Sequence, residues 1–411
     1  MRLPRIKKRR ILRFLAVMGP GIITASVDQD AGGIATYSIA GAQFGYGLLW
    51  SLFFIMIALA IVQEMGSRMG VVTGKGLAEL IRERFGVRVT VGVMLVLVLA
   101  NLANTVSEFA GVAASLEIFG WSRYAAVPLA ALLVSWLVVK GTYRLVERIF
   151  LGASLFYAVY LISAFLAGPS WPTVLRQTVR PNFRIERDYL AMLITLVGTT
   201  IAPWMQFYIQ SSIVDKGVRR KEYGYVKLDV WFGSVVASAV AFFIIVACGA
   251  TLHAHGVRIE TAEHAAMALE PFAGHYATLL FALGLLNASL FSAAIVPLST
   301  AYAVCEGFGW QTGVDRTLRE APGFFSIYLS MVAAGALLIL LTKAPLITIM
   351  FLSQTLNGIL LPFVLIFMLL LINDRAIMGA QVNSPAHNLI AWGTAALMVV
   401  LTLLLIVTTI L

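Results

Sequence analysis

The chain has 411 residues, of which 60% are hydrophobic and only 12% are charged, and this composition excludes a soluble globular protein. Its net charge of +10 would suit a nucleic-acid partner, but the basic residues lie in the connections between apolar runs. Eleven apolar runs of near-membrane length predict a polytopic all-α membrane protein. The runs cover residues 14–41, 48–66, 89–117, 125–139, 145–167, 189–214, 228–252, 276–305, 325–342, 346–372 and 389–410.

The first span is interrupted where the bilayer is driest, by the acids Asp28 and Asp30 and the adjacent glycines Gly32 and Gly33. An acid at that depth costs about 2.5 to 3.5 kcal/mol, so such a residue usually handles an ion, a proton or a substrate. The glycines allow the backbone to leave the helix at residues 30–33, and the freed carbonyl groups must then line a cavity. A carboxylate beside unwound backbone predicts a site for a hard cation.

The sixth span contains a second interruption, at residues 201–204. Pro203 removes a backbone donor there and clashes with the preceding turn. A single proline is often only a kink, but this one lies five spans after the first interruption. Interruptions at corresponding positions of two five-helix halves are typical of transporters built from inverted repeats, with the binding site at mid-membrane between them.

The distribution of Lys and Arg predicts the orientation of the chain. With the N-terminus in the cytoplasm, 23 of the 30 basic residues lie in cytoplasmic segments and 7 in outer loops, which is the positive-inside pattern. We therefore expect a plasma-membrane protein with a cytoplasmic N-terminus that contacts anionic lipid and an extracytoplasmic C-terminus. The predicted units are a basic N-terminus (1–13), a first repeat (14–168), an extracellular loop (169–188), a second repeat (189–372) and an eleventh span (373–411).

The sequence shows no signature of an enzyme or of a resident cofactor. Gly74 and Lys75 are followed by no Ser or Thr and preceded by no strand, so a phosphate-binding loop is excluded and ATP is not expected as the driver. Four histidines within residues 253–275 have spacings that match no ordinary metal site. We expect no cofactor, no nucleic acid and no obligate protein partner beyond the lipid bilayer.

Six short motifs, spread over several spans, carry a family resemblance. They are Ala40-Gly41-Ala42-Gln43-Phe44-Gly45-Tyr46, Thr199-Thr200-Ile201-Ala202-Pro203, Ser211-Ser212, Cys305-Glu306-Gly307-Phe308, Ser353-Gln354 and Leu361-Pro362-Phe363. Together they resemble the NRAMP family of proton-coupled transition-metal transporters across nearly all spans. The resemblance implies a LeuT-type fold, with ten spans in two inverted repeats and, here, one additional C-terminal helix.

At the metal site that the resemblance implies, the sequence departs from the family pattern. The acid Asp30 is kept, but Gly33 replaces an asparagine and Ala202 replaces a methionine. Loss of the thioether removes a soft ligand that discriminates against hard ions, and loss of two side chains widens the cavity. Asp30, Gly33, the backbone carbonyls near Thr199 and Ala202, and the Gln354 amide suit a partly hydrated Mg²⁺, which keeps several waters.

This pattern resembles the Nramp-related magnesium transporters, a branch of the family, and so implies Mg²⁺ and also Mn²⁺ as imported substrates. The family's proton route is depleted: Trp204 stands in place of a histidine, and Thr105 and Glu108 in place of two acids. We therefore expect transport that is driven by the membrane potential without proton coupling, with Glu108 as a remnant acid. The alternative is a proton-coupled Mn²⁺ or Fe²⁺ importer of the ordinary NRAMP type.

Two functions from other protein classes, and the role of Asp28, stay open. An amino-acid or amine carrier of the same fold is disfavoured because Asp30 would repel a carboxylate, and a sensor is disfavoured because there is no soluble output domain. Asp28 lies two residues before Asp30, about 200° around a continuous helix. It either attracts ions in the inner vestibule or caps the broken half-helix or pairs with a basic residue.

Overall fold

The computed structural model describes residues 27–140 and 154–410, and these ranges are helical, without strands. The beginning of the predicted first span and residues 145–153 of the fifth lie outside the described residues. The helices of the first half are α1 (Ala31–Phe44), α2 (Leu49–Thr73), α3 (Leu77–Phe85), α4 (Val87–Ile118), α5 (Arg123–Val139), α6 (Ala158–Leu166) and α7 (Trp171–Val179), with a 3₁₀ turn at Ser154–Tyr157.

The second half repeats the pattern of long helices joined by short ones. Its longer helices are α8 (Arg187–Thr200), α9 (Pro203–Asp215), α10 (Tyr223–Thr251), α11 (Ala277–Phe308), α12 (Pro322–Leu341), α13 (Leu346–Ile372) and α14 (Pro385–Ile410). The connections contain the short helices Ala262–Ala266, Glu270–Ala273 and Arg375–Met378 and the 3₁₀ turns Arg220–Glu222, His253–His255, Met267–Leu269, Gly274–Tyr276 and Gly379–Gln381.

Eight helical stretches of the described chain are long and apolar enough to cross a membrane, and one of them combines α8 and α9. Helix α5 is a shorter apolar helix, and α1 and α6 are the described parts of the first and fifth predicted spans. These elements account for all eleven predicted spans. The prediction of an all-helical, multi-pass membrane protein is therefore confirmed.

The first interruption is present, but its limits differ from the prediction. The non-helical residues are 28–30, whereas Gly32 and Gly33 already belong to the first turn of α1. The expectation that the two glycines leave the helix was wrong. Asp30 is the N-cap of α1, and a capping carboxylate fixes the start of a helix directly after it.

The second interruption lies where the sequence predicted it. Helix α8 ends at Thr200, Ile201 and Ala202 are non-helical, and Pro203 is the first residue of α9. Proline is tolerated at this position because the first amide of a helix has no intrahelical partner. The same proline leaves the Thr199 carbonyl without the amide four residues later that would otherwise bond to it.

Helices α8 and α13 meet backbone to backbone near the middle of the molecule. A Cβ atom on Gly198 would overlap the Gly358 amide and the Gln354 carbonyl, and a Cβ atom on Gly358 would overlap the Ile194 carbonyl. Only glycine permits this approach at both positions. The contact places Gln354 of α13 directly beside the end of α8, where Thr199 lies.

A buried ion pair with two hydrogen bonds connects α2 to the segment before the C-terminal helix. Arg68 pairs with Glu64 at 3.1 Å and donates to the carbonyl oxygens of Gln381 and Val382 at 3.1 and 3.0 Å. Helix α14 follows this segment and buries only four of its residues: Ala391, Ala395, Met398 and Leu401. Its remaining apolar surface faces outward, as expected for a peripheral helix in contact with lipid.

Candidate metal-binding site

The Asp30 carboxylate lies at the start of α1, in the middle of the molecule. Its Oδ1 atom accepts a hydrogen bond from the Gly33 amide at 2.5 Å, and its backbone carbonyl accepts from the Ile34 amide at 2.9 Å. A carboxylate at this end of a helix is stabilised by the free amides and the helix dipole. The sequence thus fixes both the position of the acid and the direction in which its oxygens point.

Three oxygen atoms surround the small space above Gly33. A Cβ atom on this residue would lie 2.6 Å from the Asp28 carbonyl oxygen, 3.2 Å from Asp30 Oδ1 and 3.3 Å from Thr199 Oγ1. The structure therefore places Asp30, Gly33 and the Thr199 hydroxyl side by side, whereas the prediction named the Thr199 backbone carbonyl. It also adds the backbone carbonyl of Asp28. An all-oxygen set with one carboxylate is the type of donor set that hard dications prefer.

Gln354 covers the other side of the carboxylate. Its Nε2 atom donates to both oxygens of Asp30, at 3.3 and 3.2 Å, and its Oε1 atom accepts from Asn357 Nδ2 at 2.8 Å. Asn357 in turn exchanges two amide hydrogen bonds with Asn104, at 3.1 and 2.8 Å. In this arrangement Gln354 presents a donor to Asp30, so it would have to turn its amide group to offer an oxygen to an ion.

The space around Asp30 is closed in this conformation. The residue is 4% exposed, both carboxylate oxygens are hydrogen bonded, and a Cβ atom on Gly32 would overlap the Gln354 side chain. The sequence predicted a roomy cavity, because two side chains of the family pattern are missing. That expectation is not met here, since Gln354 and the backbone at residues 28–30 fill the space next to the carboxylate.

The second interruption contributes Thr199 and the backbone around Ala202. The hydroxyl of Tyr37 on α1 and that of Thr200 are 2.9 Å apart, which ties the two interruptions together. The Ala202 carbonyl already accepts from the Met205 amide at 3.2 Å and weakly from Gln206 Nε2 at 3.4 Å. Of the two predicted carbonyl ligands, that of Thr199 is therefore the less engaged.

Trp204 places a large apolar side chain at the position where the resemblance implies a histidine. It is 1% exposed, and its ring lies 6.1 Å from that of Tyr208 at an interplanar angle of 59°. The indole can donate a hydrogen bond but cannot gain a proton near neutral pH. The side chain at this position is thus tightly packed and does not titrate near neutral pH.

Glu108 and Asp28 are the two remaining acids of the site region. Glu108 is fully buried on α4, its carboxyl group lies against that of Asp30, and its Oε2 atom accepts from the Ala31 amide at 3.3 Å. Asp28 is 2% exposed, and its nearest bond is a marginal one of 3.5 Å from Gln29 Nε2. It does not cap α1, because Asp30 does, and its side chain is buried.

The described residues contain no group of three or more His, Cys, Asp or Glu side chains placed to hold a metal. A dehydrated transition metal is usually held by several such ligands. The oxygens above Gly33 include one carboxylate, that of Asp30, and the carboxyl group of Glu108 lies against it from α4. Sequence reasoning missed Asn357 and the Asp28 carbonyl. The one available signal for Asn357 was its position three residues after Gln354, which places both side chains on the same face of α13.

A helical membrane protein with two interrupted spans that meet at a buried acid belongs to the class of secondary transporters with a LeuT-type fold. The comparisons with known proteins agree with this class. Residues 21–408 match the family model Nramp, natural resistance-associated macrophage protein-like. The chain therefore belongs to the Nramp family.

Similar proteins include the divalent metal cation transporter MntH of Ralstonia nicotianae, which is 31% identical over 93% of this chain and 88% of its own length. The protein of the same name from Bacillus subtilis is 26% identical over 98% of this chain and 94% of its own length. A solved structure of the Eremococcus coleocola manganese transporter superposes with a TM-score of 0.75 at 21% identity, covering 99% of this chain and 88% of the other. The nucleobase-cation-symport-1 family transporter Mhp1 gives 0.59 at 15% identity, covering 96% and 90%.

Proposed function

We propose that the protein imports divalent metal cations across the plasma membrane, chiefly Mg²⁺ and also Mn²⁺, and that it holds a partly hydrated ion beside Asp30. The observation that carries this proposal is the convergence of three oxygens, from Asp28, Asp30 and Thr199, on the space above Gly33. The names of the relatives support a divalent metal as the substrate class. The choice of Mg²⁺ rests on the donor atoms of this chain.

The donor set favours hard ions because it offers no soft or borderline ligand. Ala202 stands where the family has a thioether, and Trp204 stands where it has an imidazole. Thioether and imidazole ligands favour transition metals over Mg²⁺, so their removal lowers the discrimination against Mg²⁺. Mn²⁺ also accepts oxygen ligands and remains a substrate.

The closed arrangement corresponds to a site in which Gln354 takes the place of the ion. The two hydrogen bonds from its amide neutralise part of the buried charge of Asp30 while no cation is bound. When a cation approaches, the amide group turns and its oxygen joins the donor set. Asn357 and Asn104 follow this rotation, since they form the amide chain behind Gln354.

The driving force in this proposal is the membrane potential. A charge moving through the potential gains about 2.3 kcal/mol per 100 mV, so a dication gains about twice as much. Of the groups next to the site, Trp204 cannot carry a proton. Glu108, whose Oε2 atom accepts from the Ala31 amide, is a remnant acid in this proposal. With the N-terminus in the cytoplasm, as the charge bias predicts, this force drives cations inward.

The test is Mg²⁺ influx into proteoliposomes, followed with a magnesium-sensitive dye, for the native chain and for Asp30→Asn. The substitution keeps the shape and removes the charge, so we expect influx to fall to the level of empty liposomes. Glu260→Gln is the matched control, because it neutralises an exposed acid in a loop and should leave influx unchanged. Undiminished influx through Asp30→Asn would show that the ion does not bind at this carboxylate.

A proton-coupled Mn²⁺ importer is the second candidate, and the names of the relatives favour it. The two candidates differ in what enters the liposome with the metal. The signal of a pH-sensitive dye inside the same liposomes should stay constant during metal influx if transport is uncoupled. Acidification that is stoichiometric with the metal, together with Mn²⁺ influx that millimolar Mg²⁺ does not inhibit, would establish the second candidate instead.

A further inference from the structure

Buried polar side chains line the seam between α2 and α9, on the side of the site that the charge bias assigns to the cytoplasm. Gln63 and Ser67 lie four residues apart on α2, and Gln206 and Gln210 lie four residues apart on α9, so each pair shares one face of its helix. All four residues are at most 2% exposed. We call them the polar row.

Most of the polar atoms in this row have no protein partner. Both amide atoms of Gln63, the hydroxyl of Ser67 and the Oε1 atoms of Gln206 and Gln210 form no hydrogen bond with any described residue. Buried groups of this kind are rare in native proteins, and those that exist are usually satisfied by water. Five such atoms along one seam therefore indicate water between the two helices.

The two halves of the row face each other. Gly66 and Gly70 share the α2 face with Gln63 and Ser67, and a Cβ atom on Gly70 would lie 3.3 Å from Gln210 Cγ. A Cβ atom on Gly66 would lie 3.6 Å from the Gln206 carbonyl oxygen. The row is thus one polar strip, and the glycines on α2 allow the two helices to approach closely beside it.

The strip runs from the backbone next to the site to a group of acids. At one end, Gln206 Nε2 reaches the Ala202 carbonyl at 3.4 Å, next to the site. At the other end, Gln210 Nε2 donates to the Lys75 carbonyl at 2.9 Å. The carboxyl group of Glu306 lies against Gly76, the residue after Lys75. Two further carboxylates, those of Glu79 and Asp215, act electrostatically on Glu306 from nearby.

We propose that the polar row is a water-filled route along which the hydrated ion travels between the Asp30 site and an acidic mouth at Glu306. This inference rests on the proposed function, since it takes the transported ion to be a partly hydrated dication. Neutral amide and hydroxyl groups can hydrogen bond to the waters that the ion keeps, without binding the ion so tightly that it stays. The acidic groups at the mouth, of which Asp215 is exposed and Glu79 half-buried, supply the negative potential that draws the ion toward Glu306.

Thiol labelling tests whether the seam contains water, and it does so without measuring transport. Ser67→Cys in proteoliposomes is treated with a charged, membrane-impermeant thiol reagent, with and without Mg²⁺. Both variants carry Cys305→Ala, because this thiol adjoins Glu306 at the proposed mouth. The controls are the Cys305→Ala chain alone, whose Cys248 is buried, and Ser115→Cys on α4, where the native hydroxyl is buried and bonded to the Gly111 carbonyl. We expect Ser67→Cys to react at least about tenfold faster than both controls, and more slowly with Mg²⁺ present. A rate equal to that of Ser115→Cys would overturn the proposal.

Gln63→Leu separates a wet seam from a dry one. In a dry seam the change removes two unsatisfied polar atoms, so the protein should become more stable and transport should be unaffected. In a wet seam it interrupts the route, and we expect Mg²⁺ influx to fall about tenfold or more while Mg²⁺ binding to the purified protein changes less than about twofold. Gln381→Leu, at an exposed glutamine, is the control.

The two proposals fail in different ways. If Asp30→Asn still binds and transports Mg²⁺, the proposed function is wrong. If Asp30→Asn abolishes influx but Gln63→Leu transports at the native rate, the site stands and the route is wrong.

Discussion

Gly33→Ala adds a single methyl group to the space that we assign to the ion. The new Cβ atom would lie 2.6 Å from the Asp28 carbonyl oxygen, whereas ordinary contacts begin near 3.4 Å, so the backbone at residues 28–30 must yield by about 0.8 Å. Overpacking of this kind costs about 1 to 3 kcal/mol, which corresponds to about a 5- to 150-fold loss of affinity if it falls on the bound state. Because the displaced atoms are the proposed ligands, we expect Mg²⁺ affinity to fall at least about fivefold.

Calorimetric titration of the purified protein with Mg²⁺ measures the affinity, and a thermal melt of the same sample measures stability. Gly393→Ala is the matched control, because it lies in α14 with nothing within 4 Å of its added methyl group. It should leave affinity unchanged and raise stability by about 0.5 to 1 kcal/mol. Gly33→Asn restores the family's residue but carries the same Cβ atom, so it should also lose Mg²⁺ affinity. Native affinity in Gly33→Ala would refute the assignment of this space to the ion.

Three further predictions concern selectivity, stability and a surface acid. Ala202→Met restores a thioether, and we expect Mg²⁺ influx to fall about tenfold while Mn²⁺ influx persists, as measured in mixed-ion competition. Arg68→Ala breaks a buried pair and should cost about 3 to 5 kcal/mol in thermal unfolding, whereas Arg123→Ala, at a part-exposed pair, should cost less than about 1 kcal/mol. The pKa of the Glu320 carboxyl is lowered, first by the hydrogen bond from the Thr317 amide at 2.7 Å and then by the Thr317 hydroxyl at 3.0 Å. Its stabilising contribution is therefore present above the usual pKa of a glutamate and lost as pH falls through the lowered value; NMR titration of Thr317→Val should show a higher midpoint than in the native chain.

The sequence was sufficient to locate both interruptions, because each depends on local chemistry. Pro203 cannot continue a helix from the residues before it, and an acid inside an apolar run has few structural uses. The exact limits of the first interruption were predicted wrongly, since the two glycines were given more weight than the capping preference of Asp30. The helix start after an aspartate was readable from the sequence and would have placed Gly32 and Gly33 inside α1.

The contacts around the carboxylate could not be read from the sequence, because they join distant parts of the chain. Gln354 was predicted as a ligand only through the family resemblance, and nothing local indicates that its amide covers Asp30, 324 residues earlier. The closed cavity is a similar case. Removal of side chains from a pattern predicts space, but neighbouring residues and backbone can occupy that space, as Gln354 does above Gly32.

The glycine contact between α8 and α13 limits how the molecule can change shape. Since the two backbones touch at Gly198 and Gly358, these helices cannot slide or tilt against each other without a steric collision. The backbones at Thr199 and Gln354 must then move together, while the Gln354 side chain is still able to turn. In the transport that we propose, a change of access then has to pivot elsewhere, and the Asp30 side of the proposed site is the half that moves.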